Sequence, residues 1–411
     1  METPAVLAAQ DLLFVCAVVL AVGTITGYFA RRIGVPDIVL FLLIGMVIGP
    51  EVTGLVSIRV ESTVNQLLLL FGAAYILFDG GASVKFKVLK ETWITIVVIA
   101  TVGVLITMGI AGVTAYLTMG IPFITALLLG AVIASTDPAT LVPIFKQVKI
   151  KERVTQTVIS ESAFNDAMGA ILTFAVLGVA MTGLESFSVV DSVVDLVLET
   201  VVGISAGLVF GYGFSVLVGH PKFGYLKDYL PIVTVMMVIG AYLSALEFHG
   251  SGFMAVFVAG LVLGNKESFK LHVEHDEERK MEDFIATAAL IMRMFIFILL
   301  GAQVNFGLLG TVWEGALIVT FVFMFVARPA TVFLCAGVDR RAKWSLNEML
   351  FMCWTRETGV IPAALAGMLV GAKAPNADII AGVTFIVVLA TIMIQAPTTK
   401  WVAKKLGLLI E

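Results

Sequence analysis

Apolar runs of about 20 residues follow one another along almost the whole chain, separated by short polar links. About 20 residues is the helix length that crosses roughly 30 Å of hydrocarbon. Thirteen such runs are legible, at 11–30, 36–55, 63–82, 92–118, 123–145, 154–182, 191–218, 229–248, 252–265, 283–303, 310–336, 347–371 and 376–399. The ninth is short enough to be tilted or packed behind others. Composition agrees: of 411 residues, 59% are hydrophobic and 14% charged, with a mean hydropathy of +1.04, whereas a soluble domain carries roughly 25% charged residues. The expectation is an all-α polytopic membrane protein, 1–411 forming a single unit. The first run is too long for a signal peptide, lacks a clear small-residue cleavage site and is followed by Arg31 and Arg32, so it is read as retained. Cys16, Cys335 and Cys353 all fall in apolar runs and suggest no disulfide framework.

Basic residues orient the chain, because cytoplasmic loops collect Lys and Arg. Alternate loops hold 21 of the 26, beginning with Arg31 and Arg32 and ending with Lys400, Lys404 and Lys405. The opposite loops hold only Arg59 and Lys373. The N-terminus is therefore expected outside and the C-terminus in the cytoplasm. The link from Lys266 to Asp283 reads as a charged cytoplasmic connector between two halves.

Ionisable residues inside spans are costly and usually functional. They are Asp79, Asp137, Glu161, Asp166, Arg293, Arg328, Arg356 and Glu357. Span five contains "STDPAT", where Pro138 after Asp137 breaks an ordinary helix. Span twelve reads "WTRETGVIPAAL", a charge cluster followed by Gly359 and Pro362. Broken helices at membrane depth are tolerated where they line a cavity or are buried in protein. Two of them at corresponding positions point to a transporter site made from inverted repeats. Repeating spans one to six onto eight to thirteen pairs them. The same repeat relates spans three and ten, which would let Arg293 meet Asp79. Asp137 can neutralise facing helix N-termini and Arg356 facing C-termini; that structural role is preferred for both over direct ion binding.

Span six contains "SESAFNDAMG", Ser160 to Gly169. Lys151 and Arg153 mark its cytoplasmic start, which puts Asp166 about 18 Å deep at 1.5 Å per residue. Ser162 and Asp166 stand at i, i+4 and share a face. Glu161 and Asn165 share another, rotated by about 100°. One face offers a carboxylate and a hydroxyl, hard oxygen ligands for a small cation. The other offers a carboxylate for an arginine and an amide that can bond to broken backbone.

"ASTDPAT", "SESAFNDAMGAILTF", "FILLGAQVNF", "FVARPATVF" and "WTRETGVIPAAL", taken in order, resemble the monovalent cation:proton antiporters, specifically the NhaP/NHE-like branch. The resemblance covers essentially the whole chain. It implies the NhaA-like fold, a homodimer of about thirteen helices in which two discontinuous helices, spans five and twelve, cross. It implies a dimerisation domain at about 1–90 and 229–303, a core ion-transport domain at about 91–182 and 310–400, and a linker helix at 191–218. Asp166 matches the aspartate that takes cation or proton in turn; Ser162 and the Thr136 carbonyl match further Na⁺ ligands. Asn165 stands where electrogenic relatives have a second aspartate. Asp79 stands where relatives often place a glutamate, and its shorter side chain favours contact through a water. Glu161 and Arg328 resemble an ion pair tying span six to span eleven. Arg356 matches an arginine usually followed by glycine; Glu357 there is a departure, and competes with Asp137 for Arg356.

The expected function is electroneutral exchange of one Na⁺ or Li⁺ for one H⁺ by alternating access, serving pH homeostasis, with no cofactor and no nucleic acid partner. Two alternatives stay open. A K⁺/H⁺ antiporter of the same fold is one, with Asp79 and Glu357 as the features able to alter selectivity. An intramembrane enzyme using Asp137 and Asp166 is the other; His220, His249, His272 and His275 all fall at loops, so it would have no histidine.

Overall fold

A computed structural model describes residues 4–33, 36–136, 145, 150–183 and 189–410. Asp137 and Pro138 lie outside these. Among the described residues every named element is helical, and the only β pairing is an isolated antiparallel bridge between Ile150 and Leu409. The helices are α1 (Pro4–Ile33), α2 (Asp37–Ile48), α3 (Thr63–Ser83), α4 (Phe86–Val98), α5 (Val104–Met119), α6 (Phe123–Ile133), α7 (Glu152–Thr182) and α8 (Val189–Gly219). There follow α9 (Leu230–Glu247), α10 (Gly252–Gly264), α11 (His275–Ala302), α12 (Phe306–Val322), α13 (Arg328–Ala336), α14 (Leu346–Trp354), α15 (Val360–Gly371) and α16 (Ala377–Lys405).

Nine helical stretches of the described residues are long and apolar enough to cross a membrane. Four shorter apolar helices, α2, α6, α10 and α15, fall in the second, fifth, ninth and twelfth expected spans. The sequence placed the tenth span at 283, but α11 begins at His275. Its extra turns are charged, and Asp276, Glu277 and Glu278 in the first turn suit the positive end of a helix. Hydropathy cannot register a helix that runs out of the apolar layer, so the expected connector is shorter than its charge suggests. Polar caps fix several starts: Ser62 accepts from Asn65 N at 3.3 Å, Ser251 from Met254 N at 3.1 Å, and Asn305 from Leu308 N at 2.9 Å.

Lipid provides little drive for apolar side chains to meet, so membrane helices associate by close packing of small residues. Helices α3 and α10 touch backbone to backbone. A Cβ on Gly81 would lie 2.2 Å from the Phe257 carbonyl, and one on Gly260 would lie 2.1 Å from that of Phe78. Helices α2 and α11 do the same: Cβ atoms on Gly45 and Gly301 would fall 2.3 Å from Ile298 O and 2.2 Å from Leu42 O.

Two repeat-related spans each contain one π-helical turn. Ile99–Gly103 joins α4 to α5, and Phe323–Ala327 joins α12 to α13. The second has a local cause: Pro329 has no N–H and its ring crowds the preceding turn. The two spans are bonded where they meet, Thr331 Oγ1 donating to Gly103 O at 3.3 Å and lying 3.1 Å from Thr107 Oγ1.

On the face carrying the basic loops, Asp339 accepts from Thr95 N at 3.2 Å and Thr95 Oγ1 at 2.6 Å. Burial acts to raise its pKa; hydrogen bonds from Thr95 and from the Ala342, Thr95 and Arg341 backbone outweigh it and hold the carboxyl below its usual range. Nearby, Lys151 N donates to Leu408 O at 3.2 Å, and buried Leu408 packs with Ile150 and Val154. Leu408 and Leu409 are thereby clipped to the start of α7.

Candidate functional site

Helix α6 stops at Ile133; Ala134 N still donates to Ala131 O at 3.2 Å, and Ser135 and Thr136 continue beyond it, all three buried. Span twelve is interrupted outright. Helix α14 ends at Trp354, α15 begins at Val360, and buried residues 355–358 cross the gap. Pro362 sits in the first turn of α15, where its missing N–H costs no helical bond. The two breaks touch: Arg356 Nη2 donates to the carbonyl of Ala134, at the electronegative end of α6. The same guanidinium lies over Phe323, 4.9 Å from the ring centroid.

Helix α7 runs past both breaks as one uninterrupted element. Its two polar faces do different things. On one, Asn165 Oδ1 accepts from Thr136 N at 2.9 Å, while Nδ2 donates to Thr136 Oγ1 and to Glu161 Oε1, each at 2.8 Å. Glu161 is gripped through both oxygens by Arg328, at 3.0 Å from Nη1 and 2.8 Å from Nη2. Arg328 Nε completes its set on Met352 O at 2.8 Å, which fastens α13 to α14. On the other face, Ser162 Oγ accepts from Thr136 Oγ1 at 2.8 Å. Asp166 lies one turn further along that face, 4% exposed. The structure thus brings together Thr136, Glu161, Ser162, Asn165 and Arg328 in one bonded cluster.

Asp79 is not bonded into that cluster by any of these contacts. It lies on the wall of a cavity of about 460 Å³ that opens toward the basic face, with Ser83, Thr155, Gln156 and Ile159. Ile159 stands one turn before Ser162, so the cavity approaches the face that carries Asp166. Lys266 and Glu278 form an ion pair on its wall. Glu357 is fully buried in the unwound stretch beside Arg356. Arg293 forms no ion pair among the described residues. Gly72 of α3 meets Met292 and Ile296 of α11, whereas Asp79 shares its cavity with Met281 and Ile285, two turns away. Among the described residues no cluster of three or more His, Cys, Asp or Glu is placed to hold a metal ion.

Residues 6–405 match the family described as "Sodium/hydrogen exchanger, transmembrane". The chain belongs to the sodium/hydrogen exchanger family. Among its relatives, Na(+)/H(+) antiporter 1 of Methanocaldococcus jannaschii is 30% identical over 356 residues, 84% of this chain and 80% of that protein. The K(+)/H(+) antiporter NhaP of Alkalimonas amylolytica is 28% identical over 398 residues, 95% of this chain and 66% of that protein. The solved structure of the sodium proton antiporter MjNhaP1 from Methanocaldococcus jannaschii at pH 8 superposes with a TM-score of 0.81 at 27% identity, covering 96% of this chain and 99% of that one. The exchanger is thus a cation/proton antiporter of NhaP type and a multi-pass membrane protein, a transporter rather than an enzyme.

Sequence reasoning passed over a polar group at the opposite end of α3. Gln66 Nε2 donates to Val60 O at 2.9 Å and to Gly367 O at 3.2 Å, and Gln303 Nε2 donates to Asn65 Oδ1 at 3.1 Å. The available signal was two amides, Asn65 and Gln66, at the head of an otherwise apolar run.

Proposed function

We propose that this exchanger trades one Na⁺ or Li⁺ for one H⁺ at a single site, Asp166, by alternating access. The observation that carries the reading is the division of labour on α7. Both oxygens of Glu161 are engaged by Arg328, and Asn165 has no charge to titrate. Asp166 is then the carboxylate on the Ser162 face of this helix that is placed to neutralise a cargo ion. A bound Na⁺ would take oxygens from Asp166, Ser162 and Thr136, and a proton on Asp166 would displace it. Either cargo leaves the site neutral, so either lets the core reorient.

The supporting residues hold the breaks in place. Arg356 neutralises the carbonyl end of α6, and Asp137 is the counterpart for facing helix N-termini. Asp79 serves the ion on its way from the cavity. In this reading 91–182 and 310–400 move as the core against a dimerisation domain at 1–90 and 229–303, with 191–218 as the linker, in a homodimer. The N-terminus lies outside and the C-terminus in the cytoplasm of a prokaryote.

The second reading is K⁺/H⁺ exchange, favoured by relatives named K(+)/H(+) antiporters at 28% identity. Proteoliposomes with an imposed pH gradient, dequenched by Na⁺, Li⁺ or K⁺ side by side, decide between them. Dequenching by Na⁺ and Li⁺ and not by K⁺ is the expected result; dequenching by K⁺ alone replaces it with the second reading.

A further inference from the structure

Helix α3 meets its neighbours in two ways. Against α10 it is fused backbone to backbone at Gly81, Gly260 and Gly264. Against α15 it makes contact through side chains. Leu69 fills the space over Gly367, where a Cβ would lie 2.6 Å from Leu69 Cδ1. Gln66 fills the space over Gly371, where a Cβ would lie 2.0 Å from its Nε2. Gly367 and Gly371 are one helical turn apart, so they form a track into which two side chains of α3 fit.

The ends of α3 also differ. Toward the basic face, Asp79 and Ser83 border the cavity of about 460 Å³. Toward the other face, the Gln66 amide spends both protons on carbonyls of separate elements, Val60 in the loop before α3 and Gly367 in α15. Asn65 donates to Val60 O at 2.9 Å and accepts from Gln303, the residue that follows α11. Beside them lies a small pocket of about 60 Å³, lined by Leu300, Gln303 and Gly367 among others. Lys373 and Glu61 meet above it at 3.5 Å, both exposed.

We infer that Gln66 is the latch of the outer gate: its bond to Gly367, seated by the missing side chain of Gly371, holds the path closed on the side opposite the cavity and releases when the exchanger turns outward. The bond joins α3 of the dimerisation domain to α15 of the core, so core movement must break or shift it. This rests on the alternating-access reading above. A single neutral hydrogen bond shifts such an equilibrium by about five- to tenfold.

The test uses a reporter cysteine at Leu300, which is 5% exposed at the floor of the small pocket. Cys16→Ala removes the partly exposed native thiol; the buried Cys335 and Cys353 are controlled for by the chain without the reporter. An impermeant maleimide is added to right-side-out vesicles. Gln66→Met keeps the bulk and deletes both donors, and Gly371→Ala displaces the amide. Each is expected to raise labelling about five- to tenfold, with no further rise in the double variant. An unchanged rate in either variant that still melts and exchanges like its parent overturns the latch. Equal acceleration from both membrane faces overturns it too, since that is general loosening. Labelling needs no transport, so failure of the parent to exchange Na⁺ would strike the proposed function and leave this result to be read separately.

Discussion

Asp166→Asn is expected to abolish exchange while leaving a folded protein, because no other group on the Ser162 face of α7 can take the charge of a cation. Sustained Na⁺-driven proton movement by this variant in proteoliposomes would remove Asp166 from the role proposed for it. Glu161→Ala and Arg328→Ala should behave differently. Both partners are buried and held at 2.8 and 3.0 Å, and removing one leaves an uncompensated charge at a cost of about 3–5 kcal/mol. The expected outcome is a marked loss of melting temperature with cation affinity comparatively preserved. Wild-type melting together with altered affinity would place the pair among the ion ligands instead.

Among the elements, rigid contacts and moving ones differ in kind. Gly81→Val would drive a branched side chain into the Phe257 carbonyl, 2.2 Å from the nearest Cβ position. It should separate α3 from α10 and abolish recovery of monodisperse protein, whereas Gly178→Ala, with nothing within 4 Å of its Cβ position, should be recovered normally; equal yields on size exclusion would count against fused packing. The spans were legible because apolar run length reports membrane thickness directly. So was the split of α7 into two faces, because i, i+4 spacing put Glu161 beside Asn165 without any tertiary knowledge. The break in span twelve was marked by Gly359 and Pro362. What could not be read was anything set by a distant partner. Gln66 is an ordinary polar residue until Gly367, 301 positions away, supplies its carbonyl. The eight residues from His275 to Glu282, six of them charged, looked like a loop because hydropathy sees apolarity and not helicity. The π turn at Ile99–Gly103 has no proline to announce it, and Thr331, against which Gly103 packs, lies 228 positions away.

For the molecule as a whole, the proposed one-for-one exchange predicts turnover indifferent to membrane potential. A net movement of one charge would be worth about 2.3 kcal/mol at 100 mV, so any dependence would be plain in vesicles clamped with valinomycin. A clear dependence would require a second proton carrier, with Asp79 the first suspect. Asn165→Asp alone should not create electrogenic exchange, since Glu161 and Arg328 still cancel one another. A different consequence follows from the clip between Leu408 and Lys151. The pairing of Ile150 with Leu409 extends that clip to the edge of Ile410. A rigid fluorescent fusion attached there would bear on the clip at once, and any drag on the fusion would arrive as a mechanical load at residue 151, where the helix carrying Asp166 begins. Fusions of that kind should report a slower exchanger than the same protein tagged through a long Gly/Ser tether, which slackens before it pulls.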